Sequence, residues 1–429
     1  MSFGDLRSLF QSHHSDEEIW ATLCAFLDAE ILSDDEWVRA LGYIQGQLRR
    51  CDPAKLKAPV HWVDDLFHYK NPRHMLVAKH LDTTGRDIGD ECVLDMTSSS
   101  CVSNLSHLSM GYTYHANVRF ESLDYGCVRE IVTCPHLAQI ESLAFTGQHL
   151  RPDSLVALMD ADNVFQQLTS LDFSFNDLNF LRPVDFNAVR THQLEHLVLE
   201  GSFLSEQGVR TLAISGNLEN LKSLDLSNNY ELETHHITPH LARIYRLESL
   251  SLRGLPMSSS SLLNLLVSLS TTSLETLDIS AMRLSEGSNV LEVIHALEAP
   301  TCASLKTLHL DDYSCAQIDV ERLIEHWNRC AMTSLHTVSL KQWDFQKAHL
   351  SWLVHLMEEG ITVLDCQDAH LDLTSLELLL SLLTMDVNCT LVISDRFLPE
   401  HEEDILALVA RGQPQGVTVQ VNYSSLPPF

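Results

Sequence analysis

Apolar residues along this chain recur in a fixed frame. Read from Leu168 the chain gives LTSLDFSFNDL, from Leu194 LEHLVLEGSFL, and from Leu221 LKSLDLSNNYEL. From Leu247 comes LESLSLRGLPM, from Leu274 LETLDISAMRL, from Leu305 LKTLHLDDYSC, and from Leu335 LHTVSLKQWDF. Each has an apolar residue at positions 1, 4 and 6, and most have another at position 11. Weaker copies begin at Ala78, Leu105 and Ile140 upstream, and at Ile361, Asn388 and Gly416 downstream. Starts therefore fall at 78, 105, 140, 168, 194, 221, 247, 274, 305, 335, 361, 388 and 416, spaced 26 to 35 residues apart. The alternation through positions 4 and 6 predicts a short strand with those side chains on its buried side. Between the strands lie stretches of roughly ten residues with helical apolar spacing. They include SLVALMDA around Leu155, VLEVIHAL from Val290, VERLIEHWNR from Val320 and HLSWLVHLM from His349. LELLLSLL from Leu376 and EEDILALVA from Glu402 continue the series.

This frame, LxxLxLxxNxL, resembles that of the leucine-rich-repeat family. A strand plus a helix in about 26–29 residues is most similar to the ribonuclease-inhibitor-like subclass. The resemblance implies an α/β horseshoe solenoid of about thirteen units over residues 78–429. Its parallel sheet would line the concave side, with helices outside. No unit can bury its apolar stripe alone, so each must cover its neighbour. Family members commonly carry Asn at position 9, where the side chain satisfies backbone groups at the turn. Here only Asn176 and Asn229 match; Thr113, Ser202, Leu255, Met282, Tyr313, Trp343 and Ala369 stand at that position elsewhere.

Residues 1–77 do not follow the repeat and read as helical. Ser15-x-x-Glu18 and Ser33-x-x-Glu36 have capping-box form, each before an apolar periodic run. Ile19, Leu23, Phe26 and Leu27 form one stripe; Trp37, Leu41, Ile44 and Leu48 form another. Pro53 ends the second run, and Pro59 opens a third segment, VHWVDDLFHY. A first repeat without cover would expose its core, so this segment is expected to cap the array; a separate partner-docking module is the alternative.

Composition narrows the function. The chain has 429 residues, with 28 Lys and Arg against 58 Asp and Glu, a net charge of −30. Such a field repels phosphates and anionic lipid and favours basic partners, or serves solubility alone. The 11 cysteines include no CxxC pair, which fits reduced, buried thiols, as at Cys366 inside a strand pattern. No apolar run reaches secretory or membrane-spanning form, so the expected compartment is the cytoplasm. Walker, GxGxxG, HExxH, GxSxG and EF-hand motifs are all absent from the sequence. Among 23 histidines, His235, His236 and His240 are the densest cluster. Pro239 interrupts it and no third ligand has a metal-binding spacing, so neither metal nor cofactor is expected. The last strand, GVTVQV, offers an edge for self-association, which Pro427, Pro428 and Phe429 discourage; a monomer is expected.

These observations favour a binding module over an enzyme. Positions 3, 5 and 7 are expected to point to the concave surface, with an acidic row at position 5: Asp82, Asp172, Asp225, Asp278 and Asp365. His309, Asp311 and Lys341 join that face. Arg253, Tyr313 and Trp343 stand on turns, where an aromatic beside charges is what a binding hot spot looks like. Position 9 usually points inward, so Tyr313 and Trp343 are better explained as plugs for the missing Asn. Candidate partner-binding residues are thus Asp172, Asp225, Arg253, Asp278, His309, Asp311, Tyr313, Lys341, Trp343 and Asp365. The partner class is protein, a basic one, with no nucleic acid and no membrane. Two rivals share the repeat. One is an adaptor whose helical N-terminus docks a larger complex; the other is a regulator of an enzyme such as a GTPase.

Overall fold

The computed structural model describes residues 6, 10, 15–29, 32–68, 72–86, 88–111, 123–160, 164–179, 193–214, 220–232, 234–256, 258–269, 273–284, 289–314, 318–384, 386–394, 410 and 416–422. The chain forms two compact units, Met1–Asn220 and Leu221–Phe429.

The first unit opens with helices α1 (Asp16–Ala29), α2 (Asp34–Leu48) and α3 (Val60–Leu66). Both anticipated capping boxes form. The Ser15 N–H donates to Glu18 Oε2 at 3.0 Å and the Glu18 N–H to Ser15 Oγ at 3.3 Å. The Ser33 N–H donates to Glu36 Oε2 at 3.0 Å. Trp20, Leu23, Phe26, Leu27, Trp37, Ile44 and Trp62 are buried. Two of these three indoles donate hydrogen bonds, Trp20 Nε1 to the Lys57 carbonyl at 2.8 Å and Trp62 Nε1 to Asp28 Oδ1 at 2.6 Å. Strands β1 (His80–Asp82), β2 (His107–Gly111), β3 (Ser142–Thr146), β4 (Ser170–Asp172) and β5 (His196–Val198) follow, each parallel to the next. Helices α4 (Asp90–Ser98), α5 (Tyr125–Thr133) and α6 (Pro152–Met159) connect the first strands, and α7 (Glu206–Ile214) follows β5.

The second unit repeats the theme. Its strands are β6 (Ser223–Asp225), β7 (Ser249–Ser251), β8 (Thr276–Asp278), β9 (Thr307–His309), β10 (Thr337–Ser339), β11 (Val363–Asp365), β12 (Cys389–Ser394) and β13 (Val417–Asn422). All pair in parallel, in chain order. Between them run α8 (Thr234–Leu241), α9 (Ser259–Ser268), α10 (Val290–Ala296), α11 (Val320–Arg329), α12 (Leu350–Glu358) and α13 (Leu373–Leu382). The segment carrying His235, His236 and His240 is thus helical despite Pro239, although the side chains of His235 and His236 lie outside the described residues. So do the segment from Glu402 through Val409, the tail from Tyr423, and Thr113.

Register follows the sequence frame: position 3 of each unit pairs with position 3 of the next, as in Ser170 with His196 and Thr276 with Thr307. Positions 1 and 4 form a continuous buried column, including Leu168, Leu171, Leu194, Leu197, Leu274, Leu277, Leu305 and Leu308. Parallel strands this short, most of them followed by a helix and each paired with the next within its unit, make this an α/β leucine-rich-repeat solenoid.

The cysteines behave as core fillers. Among the described residues all ten are free thiols, most of them buried. Burial pushes the thiols of Cys24, Cys302, Cys330 and Cys389 up to about 12, which leaves them protonated and poorly nucleophilic.

The second unit also holds a dense aromatic core. Trp343 is 0% exposed. It stacks on Phe345 at 5.4 Å, lies 5.3 Å from Trp352, and meets Tyr313 edge-on at 6.1 Å. Trp343→Ala should therefore destabilise the chain by ~3–5 kcal/mol in urea unfolding. A loss below ~1 kcal/mol would mean that the indole contributes no core packing.

Candidate binding surface

A three-residue strand leaves only positions 3 and 5 facing away from the helices. In nearly every strand of three residues the central residue is buried while its two neighbours are half-buried. Position 5 carries the acidic row. In the second unit it reads Asp225, Ser251, Asp278, His309, Ser339, Asp365 along the hydrogen-bonded register. Asp225 and Asp278 are thus separated by one neutral strand, about 9–10 Å apart at normal strand spacing.

Each of these aspartates has a local structural role. Asp172 Oδ1 accepts from the Ser174 N–H at 2.9 Å and from its hydroxyl at 2.5 Å. Asp225, Asp278 and Asp365 accept from the N–H two residues on, at 2.8, 2.9 and 3.2 Å. These are Asx turns, which end the strand by pulling the backbone inward at position 7. Cations also face two members of the row. Lys57 Nζ lies 2.5 Å from Asp82 Oδ2, and Lys341 Nζ lies 3.1 Å from Asp365 Oδ2. Burial pushes the Asp82 carboxyl up, but hydrogen bonds from Lys57 and Thr84 outweigh this and hold it below the usual range.

The same turn qualifies one expectation. Position 7 is mixed: Ser174, Ser227, Ser280 and Asp311 are buried, whereas Thr146, Glu200, Arg253, Lys341 and Gln367 are half-buried like positions 3 and 5, and Thr84 is exposed. Asp311 Oδ1 accepts from Ser339 Oγ at 2.6 Å and from the Lys341 N–H at 2.9 Å, while Oδ2 lies 3.9 Å from Arg253. Arg253 pairs chiefly with Asp312.

Beyond position 7 the chain reverses through a left-handed residue. Position 8 has positive φ at Gly85, Gly147, Phe175, Gly201, Asn228, Gly254, Ala281, Asp312, Gln342 and Asp368. Its N–H donates to the position-7 carbonyl of the next unit, as from Phe175 to Glu200 at 2.7 Å and from Asp312 to Lys341 at 2.9 Å.

Position 9 then turns inward; four of its residues share one chemistry despite different identities, whereas Leu255, Met282 and Ala369 fill it with apolar bulk alone. Asn176 Nδ2 donates to the carbonyl of Phe145 at 2.6 Å, and Ser202 Oγ to that of Phe173 at 2.9 Å. The Tyr313 hydroxyl donates to Ile279 at 2.5 Å, and Trp343 Nε1 donates to Leu310. In all four cases the acceptor is the position-6 carbonyl of the preceding unit. Tyr313 is 7% exposed and Trp343 0%. Of the two sequence readings for this pair, the inward plug fits that burial, and neither ring can reach a partner without unfolding.

Three aromatics on the turns are exposed: Phe175, a turn aromatic the sequence frame already suggests, and Phe203 and Tyr230, which it does not. Phe175 at position 8 is 45% exposed, and Phe203 and Tyr230 at position 10 are 58% and 50% exposed. Phe203, like Phe175, has a left-handed φ. The Phe175 ring lies across Gly201, where a Cβ would come within 2.7 Å of Cδ1. In the second unit Arg283 stacks on Tyr230, with Cζ 3.7 Å from the ring centre. An aromatic at position 10, between the inward positions 9 and 11, was the available signal.

Comparison with protein-family models finds no match, and comparison with curated proteins finds none. Among solved structures, the leucine-rich repeat-containing protein LegL7 from Legionella pneumophila is similar at 16% identity, covering 66% of this chain and 90% of that one, with a TM-score of 0.44. A protein from Bacteroides fragilis is similar at 13% identity, covering 73% of this chain and 77% of that one, with a TM-score of 0.34.

The Asx turns separate charge from structure. Asp278→Ala should cost ~0.5–2 kcal/mol, the usual range for a lost side-chain cap, whereas Asp278→Asn keeps the acceptor and should stay within ~0.5 kcal/mol. Equal losses in chemical denaturation would assign the stabilising role to the charge instead.

Proposed function

We propose that this chain is a protein-interaction module rather than an enzyme, and that it binds a basic protein segment through its strand face and the adjoining turns. The observation that carries this reading is Phe175. A left-handed backbone costs a non-glycine residue ~1–2 kcal/mol, and a bulky ring gains nothing there by standing in water. Seven equivalent turns use Gly85, Gly147, Gly201, Gly254, Asn228, Asp312 and Asp368, which relieve that strain or tolerate it better, and Ala281 and Gln342 take it without a ring. Phe175 is the one aromatic among the described position-8 residues, and Gly201 makes room for its ring; Phe203 adds a second exposed left-handed aromatic at position 10. Strained, exposed aromatics are what a partner would use, and stability alone would remove them.

The chemistry of the partner follows from the surroundings. Asp172 precedes Phe175 by three residues, and the net charge of −30 draws cations from a distance. An apolar segment carrying Arg or Lys would bury its side chains on the rings, gain cation–π contacts and meet the acidic row. In the first unit Asp172 stands beside the rings; the second unit carries its own row of Asp225, Asp278, His309 and Asp365, with Arg253, Asp311 and Lys341 fixing the turns beside it. We also read the helices before residue 78 as a cap. Residues 56–58 pair with β1: the His80 N–H donates to the Leu56 carbonyl at 3.2 Å and the Ala58 N–H to the His80 carbonyl at 2.8 Å. A segment committed to that edge supports capping over an adaptor role. A helix between most successive strands supports the ribonuclease-inhibitor-like subclass.

Phe175→Asn tests the reading because stability and binding should move in opposite directions. Unfolding free energy should hold or rise by up to ~1 kcal/mol, since Asn tolerates the left-handed turn. Proteins retained by the intact chain at low salt and released at moderate salt should fall at least tenfold on the variant in quantitative affinity capture. Equal retention by both forms, or retention insensitive to salt, would remove the turn or the charge from the interface.

A further inference from the structure

Helices α10 and α11 place a second cluster away from the strand face. His295 lies in the last turn of α10, Glu298 just beyond that helix, and His326 in the last turn of α11. His295 and His326 occupy the same position, the twenty-second, in the units that start at 274 and 305. Stacking of successive units therefore brings them side by side, with ring centres 5.5 Å apart. Glu298 Oε1 lies 3.0 Å from His295 Nδ1 and 3.2 Å from His326 Nδ1. The three candidate ligand atoms all lie within 4.8 Å of one another.

We propose that His295, Glu298 and His326 form a surface site for one divalent transition-metal ion of the zinc type. Zn–N and Zn–O bonds of about 2.0–2.2 Å in a tetrahedron put neighbouring ligand atoms about 3.3 Å apart. Both nitrogen–oxygen separations already stand within a few tenths of that value, so the ion would enter with little rearrangement. Two imidazoles and a carboxylate match a borderline-soft cation and suit Mg2+ or Ca2+ poorly. His295 is about half-exposed, which leaves the fourth position to solvent water. Both helices turn their carbonyl ends toward the cluster, where a cation is favoured. Arg329 opposes this, for it lies near enough to help hold the Glu298 carboxyl low, although its own pairing is with Glu325 at the same helix end. The ion would cross-link consecutive repeats and pin α10 to α11.

The rival cluster among the described residues, Asp90, Asp124 and Cys127, is less suited. Burial and hydrogen bonding to Asp90 push the Cys127 thiol up to about 12, so binding there would first require a costly deprotonation.

Full-length protein should be titrated with Zn2+ against a chromophoric chelator, with Co2+ as a spectroscopic probe. His295→Gln and Glu298→Gln alter exposed or half-buried groups, and their circular dichroism should match wild type. Each should weaken Zn2+ binding at least tenfold and abolish the visible bands of tetrahedral Co2+, whereas Asp124→Asn should leave both unchanged. Zn2+ should also raise the thermal midpoint of wild type more than that of either variant. The proposal is overturned if wild type fails to hold Zn2+, if the variants bind it as wild type does, or if Asp124→Asn removes the affinity instead.

Discussion

One constraint governs this molecule: a strand of three residues cannot satisfy its own backbone, nor bury its own side chains, without the next copy of itself. Each unit therefore has to leave its strand at the same point and in the same direction. The left-handed residue at position 8 does this, sending its N–H to the next unit while position 9 returns inward to the previous one. Buried carbonyls at position 6 are then met by side chains of the following unit. An unmet buried carbonyl costs ~1–3 kcal/mol, so each such plug is comparable to a large part of one unit's share of stability.

That constraint explains why the plug's identity drifts. Where a side chain meets the carbonyl at the bottom of the turn, any donor of sufficient reach serves, and Asn, Ser, Tyr and Trp all carry one; Leu255, Met282 and Ala369 fill the position without one. Reach sets the volume needed around it. Ser202 reaches its carbonyl with a hydroxyl alone, while Trp343 brings an indole that must itself be packed, and Phe345, Trp352 and Tyr313 surround it. Asn176 and Asn229 were recognisable as family residues. Tyr313 and Trp343 were ambiguous because composition cannot separate a buried donor from an exposed anchor.

Legibility divides along the same line. Strand positions, register and the helices with strong apolar spacing could be read directly, because stacking imposes one frame on every unit. The inward turn at position 7 could not. It depends on Asp172 or Asp278 bonding the backbone two residues on, and an aspartate in a strand pattern reads equally well as a solvated surface charge. The exposed rings of Phe203 and Tyr230 were missed for a related reason. Their positions are defined by the left-handed turn before them, and φ has no periodicity in the sequence. His295 and His326 were readable in principle: equal positions in consecutive units are neighbours, however far apart they stand in the chain.

Repeat geometry also determines which long-range pairs can form across two units. Neighbouring strands lie about 4.8 Å apart, so residues two units apart on one row are separated by about 9–10 Å. A long side chain can cross that gap. Tyr230 and Arg283 share position 10 two units apart, with the compact Pro256 at that position between them, and the Arg283 guanidinium lies on the Tyr230 ring. Arg253 reaches Asp312 across the unit whose position 8 is Ala281. Small residues at these turns therefore keep the surface clear so that arginines can be held in fixed orientations, and where the residue is glycine the left-handed backbone is relieved as well. An arginine already held by an aromatic face or a carboxylate loses less freedom when a partner arrives. The turn edge is in this sense preorganised by its small residues.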